Sequence, residues 1–252
     1  MKTKFSQKHS VVASILWALL ILSFYFVSGA AIVITKATST HAMLIRAICV
    51  FAACLPPIIY IWRSTGSFSD YGFTKLKKAE VKKVLFFLPL IVVDVVPIFS
   101  GFKADNQVSF ILATLACTLC VGFAEEIYYR GIILNILKLK GDRFAIIGSS
   151  VLFGLGHLMN IAGGANVAYT LLQVFFAFFA GIVLAEIVVI TNNIVVAMLW
   201  HFLCDFLAYT TNDGSLLFNL VGAVIQTVVL IAFFIYLYIV IERLRRKNLQ
   251  RA

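Results

Sequence analysis

Charge is scarce in this 252-residue sequence: 13% of its residues are Asp, Glu, Lys or Arg, where a soluble domain carries about 25%. So little polar surface cannot cover a globule in water, which excludes a soluble protein. Internal repeats, low-complexity stretches and polar linkers are also missing, so nothing divides the chain. Only five cysteines occur, and Cys49, Cys54, Cys117, Cys120 and Cys204 all lie in apolar runs. There they act as small hydrophobes and build no disulfide framework. Cys117 and Cys120 have metal-pair spacing but no second pair, which reads as helix packing. Acidic residues number 11 against 21 basic ones, a net charge of +10. Distribution decides what that excess means, and nucleic acid is not an expected partner.

Apolar residues make up 62% of the chain, with 23 Phe and 9 Tyr, more than so short a chain can bury. They form long continuous runs, the signature of transmembrane helices rather than of a barrel. The runs predict eight spans, near residues 11–34, 42–62, 84–99, 108–137, 144–158, 167–190, 193–209 and 216–241. The third and fifth are short. Pro89 and Pro97 are expected to kink the third, and the long fourth to bend near Gly122. The first exceeds a signal-peptide core and is read as retained. The expected fold is therefore all-α, a polytopic bundle of about eight spans around a buried polar cavity. Residues 1–252 are read as a single integral membrane domain, with a motif-bearing core at about 108–209 and a basic loop at 63–83.

Counting charges by alternate loops tests this arrangement, because cytoplasmic loops are rich in Lys and Arg. One side collects Lys2, Lys4 and Lys8, six residues from Arg63 to Lys83, then Lys138, Lys140 and Arg143, and five residues from Arg243 to Arg251. The other side has Lys36 and Lys103. Both termini are expected in the cytoplasm of a bacterial plasma membrane, with loop 63–83 on anionic head groups.

Ionisable residues within hydrocarbon are costly and mark sites or pathways. Nine fall in the spans: Arg46, Asp94, Glu125, Glu126, Arg130, His157, Glu186, His201 and Asp205. At ~1.5 Å per helical residue, Glu126, His157 and His201 lie roughly 18, 21 and 12 Å from the basic side, so three helices bring polar groups to similar depth. Glu126 and Arg130, four apart, are placed for a same-face ion pair. That pair reads equally as a helix-holding contact and as part of a catalytic site. Glu125 points about 100° away, without that partner, as a candidate general base. His157 and His201 suit either a held water or a divalent metal such as zinc, completed by Glu125 as a two-His, one-carboxylate set. Asp205, one turn after His201, would orient the ring or join the metal. Arg46 and Asp94 are read as a structural pair, and Glu186 as reaching the head groups. Gly154, Gly156 and Gly181 permit close helix approach, and Ile161–Gly164 is read as a connector.

These residues form three patterns: Glu125-Glu126-Ile-Tyr-Tyr-Arg130, Phe153-Gly-Leu-Gly-His157 and His201-Phe-Leu-Cys-Asp205. In this order, over about residues 110–206, they resemble the motifs of the CPBP intramembrane proteases, the family containing the type II CAAX prenyl endopeptidases and the bacteriocin-immunity (Abi) proteins. The resemblance implies a water-filled cavity in which Glu125 and His157 activate a water for peptide hydrolysis. It further implies that His201 and Asp205 stabilise the oxyanion and that Glu126 and Arg130 support them. The third motif ends in Asp205 where Asn is commoner, which weakens a neutral donor role and favours a metal or orientation of His201. Phe202 is bulkier than the small residue often found there.

The expected activity is an intramembrane endopeptidase acting on a membrane-anchored or lipidated peptide, in bacteriocin self-immunity or peptide processing. The alternative is a non-catalytic scaffold or immunity protein that binds a peptide or signalling partner through the same buried network. An ion-coupled transporter ranks last, since no inverted repeat is visible. Oligomeric state is not readable from the sequence.

Overall fold

The computed structural model describes residues 4–64, 67–104 and 107–250. The long elements are α1 (Ser10–Thr35), α2 (Ser39–Ala53), α3 (Leu55–Ser64), α4 (Leu88–Ile98), α5 (Val108–Glu126), α6 (Asp142–Gly156), α7 (Val167–Thr191), α8 (Val195–Thr210) and α9 (Leu216–Leu249). Helices dominate, as the apolar runs require, since a helix satisfies its own backbone in lipid.

Six helical stretches are long and apolar enough to cross a membrane: 10–35, 39–64, 108–140, 142–162, 167–191 and 217–247. The shorter apolar helices Leu85–Ile98 and Val195–Thr210 bring the described apolar segments to the eight expected. The third is short as expected, but the second short one is the seventh, not the fifth. The fifth starts at Asp142, directly after the Gly141 turn (φ +101°), and continues past His157 into Met159–Ala162.

The fourth span is irregular, but not at Gly122. Its α-helical pattern gives way to a π-helix at Ile127–Ile133, directly after the two glutamates. π-Turns of this kind are frequent at functional sites. Gly122 instead marks a close crossing: a Cβ there would lie 2.8 Å from the Met198 carbonyl oxygen and 2.9 Å from the Phe202 nitrogen. Across α6 and α7, a Cβ on Gly154 would meet the Val174 carbonyl at 3.1 Å and one on Gly181 would meet Ser150 at 3.1 Å. Small residues let these backbones approach, as membrane helix packing favours.

The third span breaks at its start, where Leu85, Phe86 and Phe87 all have positive φ. Pro89 follows near the start of α4 and Pro97 lies near its end. Pro97 lacks the N–H that would bond the Val93 carbonyl. Gln226 Nε2 on α9 donates to that oxygen at 2.9 Å, and Trp200 Nε1 on α8 donates to the Leu90 carbonyl at 3.2 Å. Two neighbouring helices thus satisfy polar backbone that lipid could not.

The ends of the bundle are tied together. On the basic face, Ile194 N donates to the Gly72 carbonyl at 2.8 Å, Thr74 Oγ1 to the Asn192 carbonyl at 2.5 Å and Asn193 Nδ2 to the Thr74 carbonyl. These bonds hold loop residues 72–74 against the α7–α8 turn. On the opposite face, Asn212 N donates to the Gly101 carbonyl at 2.8 Å and Lys103 N to the Thr210 carbonyl at 3.0 Å.

Candidate active site

Three helices deliver the three sequence patterns to one place. Glu125 and Glu126 end α5, His157 follows the last turn of α6, and His201 and Asp205 sit one turn apart on α8. Glu125, His157, His201 and Asp205 line a common cavity of about 680 Å³. Its lining also takes in the second half of α1, from Leu22 to Ile34, and residues between Met159 and Gly163 beyond α6. The cavity therefore extends toward the end of the bundle opposite the basic loops.

Glu126 and Arg130 lie behind this wall. Both are buried, with Arg130 Nη1 at 3.1 Å from Glu126 Oε1. The same oxygen accepts a hydrogen bond from His201 Nδ1 at 2.9 Å. The ion pair expected from spacing is present, and its carboxylate also fixes the ring that faces the cavity. Phe153 completes the support: the Arg130 guanidinium stacks 4.2 Å from its ring centroid. Its ring also meets His157 at 5.3 Å and His201 at 5.6 Å between centroids, both edge-to-face. The Phe in the second pattern thus seats both histidines and covers the cation.

Histidine orientations follow from these partners. With Nδ1 turned to Glu126, His201 Nε2 lies 3.9 Å from Glu125 Oε2 and 3.7 Å from Asp205 Oδ2. His157 Nδ1 lies 3.2 Å from the Phe153 carbonyl. That oxygen only accepts, so Nδ1 carries a proton, and in the neutral ring the lone pair is then on Nε2.

Glu125, which does not share the Arg130 partner of Glu126, has one from another helix. Tyr25 on α1 donates its hydroxyl to Glu125 Oε1 at 2.5 Å. A tyrosine 100 positions away inside an apolar run carries no local signal, so the pairing was invisible before α1 and α5 were brought together. The contact occupies Oε1 and leaves Oε2 on the side of His201.

Two other expectations are corrected. Arg46 does not pair with Asp94: its Nη1 donates to the Tyr209 hydroxyl at 2.8 Å, and both residues line the cavity. Asp94 is buried on α4 with Oδ1 unpartnered. Glu186 does not reach head groups, because it is buried within the bundle with Oε2 unpartnered. Depth along a helix was legible for these residues, but which side of the helix met a neighbour was not.

Among the described residues, no group of three His, Cys, Asp or Glu side chains is gathered to hold a metal. His201 Nδ1 and Glu125 Oε1 are engaged within the protein, which leaves His201 Nε2 and Glu125 Oε2 as the atoms of those two residues turned toward each other.

No curated protein and no solved structure matches the chain. Residues 107–207 match the family described as type II CAAX prenyl endopeptidase Rce1-like, a stretch that takes in all three patterns. This bears out the resemblance they carried, over the motif-bearing part of the chain. Tyr25, Arg46 and Tyr209 all lie outside the matched stretch.

Proposed function

We propose that the protein is an intramembrane endopeptidase whose nucleophile is a water held between Glu125 and His157. The observation that carries this reading is the convergence of Glu125, His157 and His201 on one cavity, with the orientation of each set by a separate partner.

The chemistry follows from donors and acceptors. Glu125 Oε2 and the unprotonated Nε2 of His157 each accept one hydrogen of the water and aim its lone pair into the cavity. Attack on the scissile carbonyl forms the C–O bond as Glu125 takes the proton. His201, protonated on both nitrogens, donates Nε2–H to the developing oxyanion while Glu126 holds Nδ1. Asp205, a carboxylate 3.7 Å from Nε2, balances the imidazolium charge rather than donating to the oxyanion. Collapse breaks the C–N bond, and Glu125 returns its proton to the leaving amine.

The lipid-embedded cavity favours a membrane-anchored or lipidated peptide as substrate, in peptide processing or bacteriocin self-immunity. The gathering of Lys and Arg on one face supports placing both termini in the cytoplasm. The cavity then extends away from the cytoplasm.

Sequencing new peptide termini in membranes of cells expressing wild type or Glu125→Gln at matched levels tests the proposal. Termini made by wild type alone, and surviving chelation of divalent metals, are expected. Identical termini in both, with the protein present and folded, would leave a scaffold as the better reading.

A further inference from the structure

The cavity has two chemically different ends. Glu125, His157 and His201 occupy one, and Arg46 and Tyr209 stand toward the other. Tyr209 receives the Arg46 guanidinium on its hydroxyl and the Lys103 ammonium on its main-chain carbonyl, at 2.8 and 3.2 Å. Tyr209 therefore holds Arg46 in place without neutralising it. Arg46 is in none of the ion pairs among the described residues.

A guanidinium carries five N–H donors in a planar fork suited to a carboxylate. A cation on a cavity wall at membrane depth calls for a counter-charge, and Arg46 has only a neutral hydroxyl for its described partner. Catalysis by Glu125, His157 and His201 makes no use of it. Asp205 on the same wall limits the local positive charge, so the site suits a monoanion rather than a phosphate dianion.

We propose that Arg46, held by Tyr209, forms a carboxylate-binding subsite of the catalytic cavity that selects and registers the substrate. The subsite rests on the peptidase reading and adds a substrate requirement to it. Tyr209 lies two helical turns beyond His201 on α8, ~12 Å at 1.5 Å per residue. An extended peptide at ~3.3 Å per residue crosses that span in about three to four residues. The required carboxylate is thus a few residues from the scissile bond, either at a free C-terminus or on an Asp or Glu side chain.

The test uses the purified full-length protein in liposomes with palmitoyl-anchored peptide pools of randomised sequence. The pools end in a C-terminal acid or amide, with or without Asp and Glu, and products are read by mass spectrometry. A preference of about tenfold in kcat/KM for acid over amide ends, with cuts at fixed distance from the terminus, supports the subsite and assigns it to the C-terminus. A comparable preference for Asp or Glu at fixed spacing in the amide pools supports it and assigns it to a side chain. Arg46→Gln should bring either ratio close to one, and Arg46→Lys should restore part of it, with folding followed by the thermal transition.

Equal cleavage of all pools by wild type, without fixed spacing, overturns the subsite and leaves the peptidase standing. Products no different from those of Glu125→Gln in any pool overturn the peptidase reading, and the subsite with it. The comparison of pools on wild type decides the matter even if an Arg46 variant fails to fold.

Discussion

Removing either member of the Glu126–Arg130 pair separates structural support from chemistry. Both side chains are at most 2% exposed and 3.1 Å apart, and Glu126 Oε1 also takes the His201 Nδ1 bond at 2.9 Å. Arg130→Met leaves the buried Glu126 carboxylate with only its His201 contact and Glu126→Leu strands a buried guanidinium, costing up to about 3–5 kcal/mol each. At about 1.4 kcal/mol per tenfold, unfolding in a denaturing-detergent titration should become easier by up to two to nearly four decades. The double variant Glu126→Leu, Arg130→Met buries no unpaired charge, so most of that stability should return. Activity should not return, because nothing then holds His201 Nδ1. Stability curves paired with peptide cleavage give both readings on the same preparations. An additive loss of stability in the double variant would refute the pair as the structural unit. Recovery of cleavage would refute the role given to Glu126 in orienting His201.

Tyr25→Phe removes the 2.5 Å hydrogen bond to Glu125, a bond to a charged group worth about 1.5–3 kcal/mol. The kcat/KM of peptide cleavage should fall about 10- to 100-fold and stability by up to the same about 1.5–3 kcal/mol, and unchanged cleavage would show that Glu125 does not depend on this contact. Gln226→Leu leaves the Val93 carbonyl, already without its helical donor at Pro97, unpaired among apolar side chains. It should cost about 1–3 kcal/mol in the detergent titration with cleavage per folded molecule within about twofold of wild type.

The fold class, the apolar segments and the three reactive patterns were legible because each is local. An apolar run records its own length, and residues four apart on a helix share a face whatever surrounds them. The Glu126–Arg130 pair and the close approaches at Gly154 and Gly181 followed from such spacing.

What only the tertiary structure decided is which helix stands beside which, because that depends on packing between residues far apart in the chain. Tyr25 meets Glu125 across 100 positions, Arg46 meets Tyr209 across 163, and Gln226 serves Val93 across 133. Arg46 was drawn toward Asp94 by charge alone, and Glu186 toward head groups by depth alone. In a bundle whose helices are apolar all round, periodicity does not say which face meets lipid and which meets a neighbour. The sequence therefore determined which polar groups lie in the bundle and at what depth, and the packing of α2 and α8 against α5, and of α1 against the π-turn that follows it, decided what holds them and what else shares their cavity.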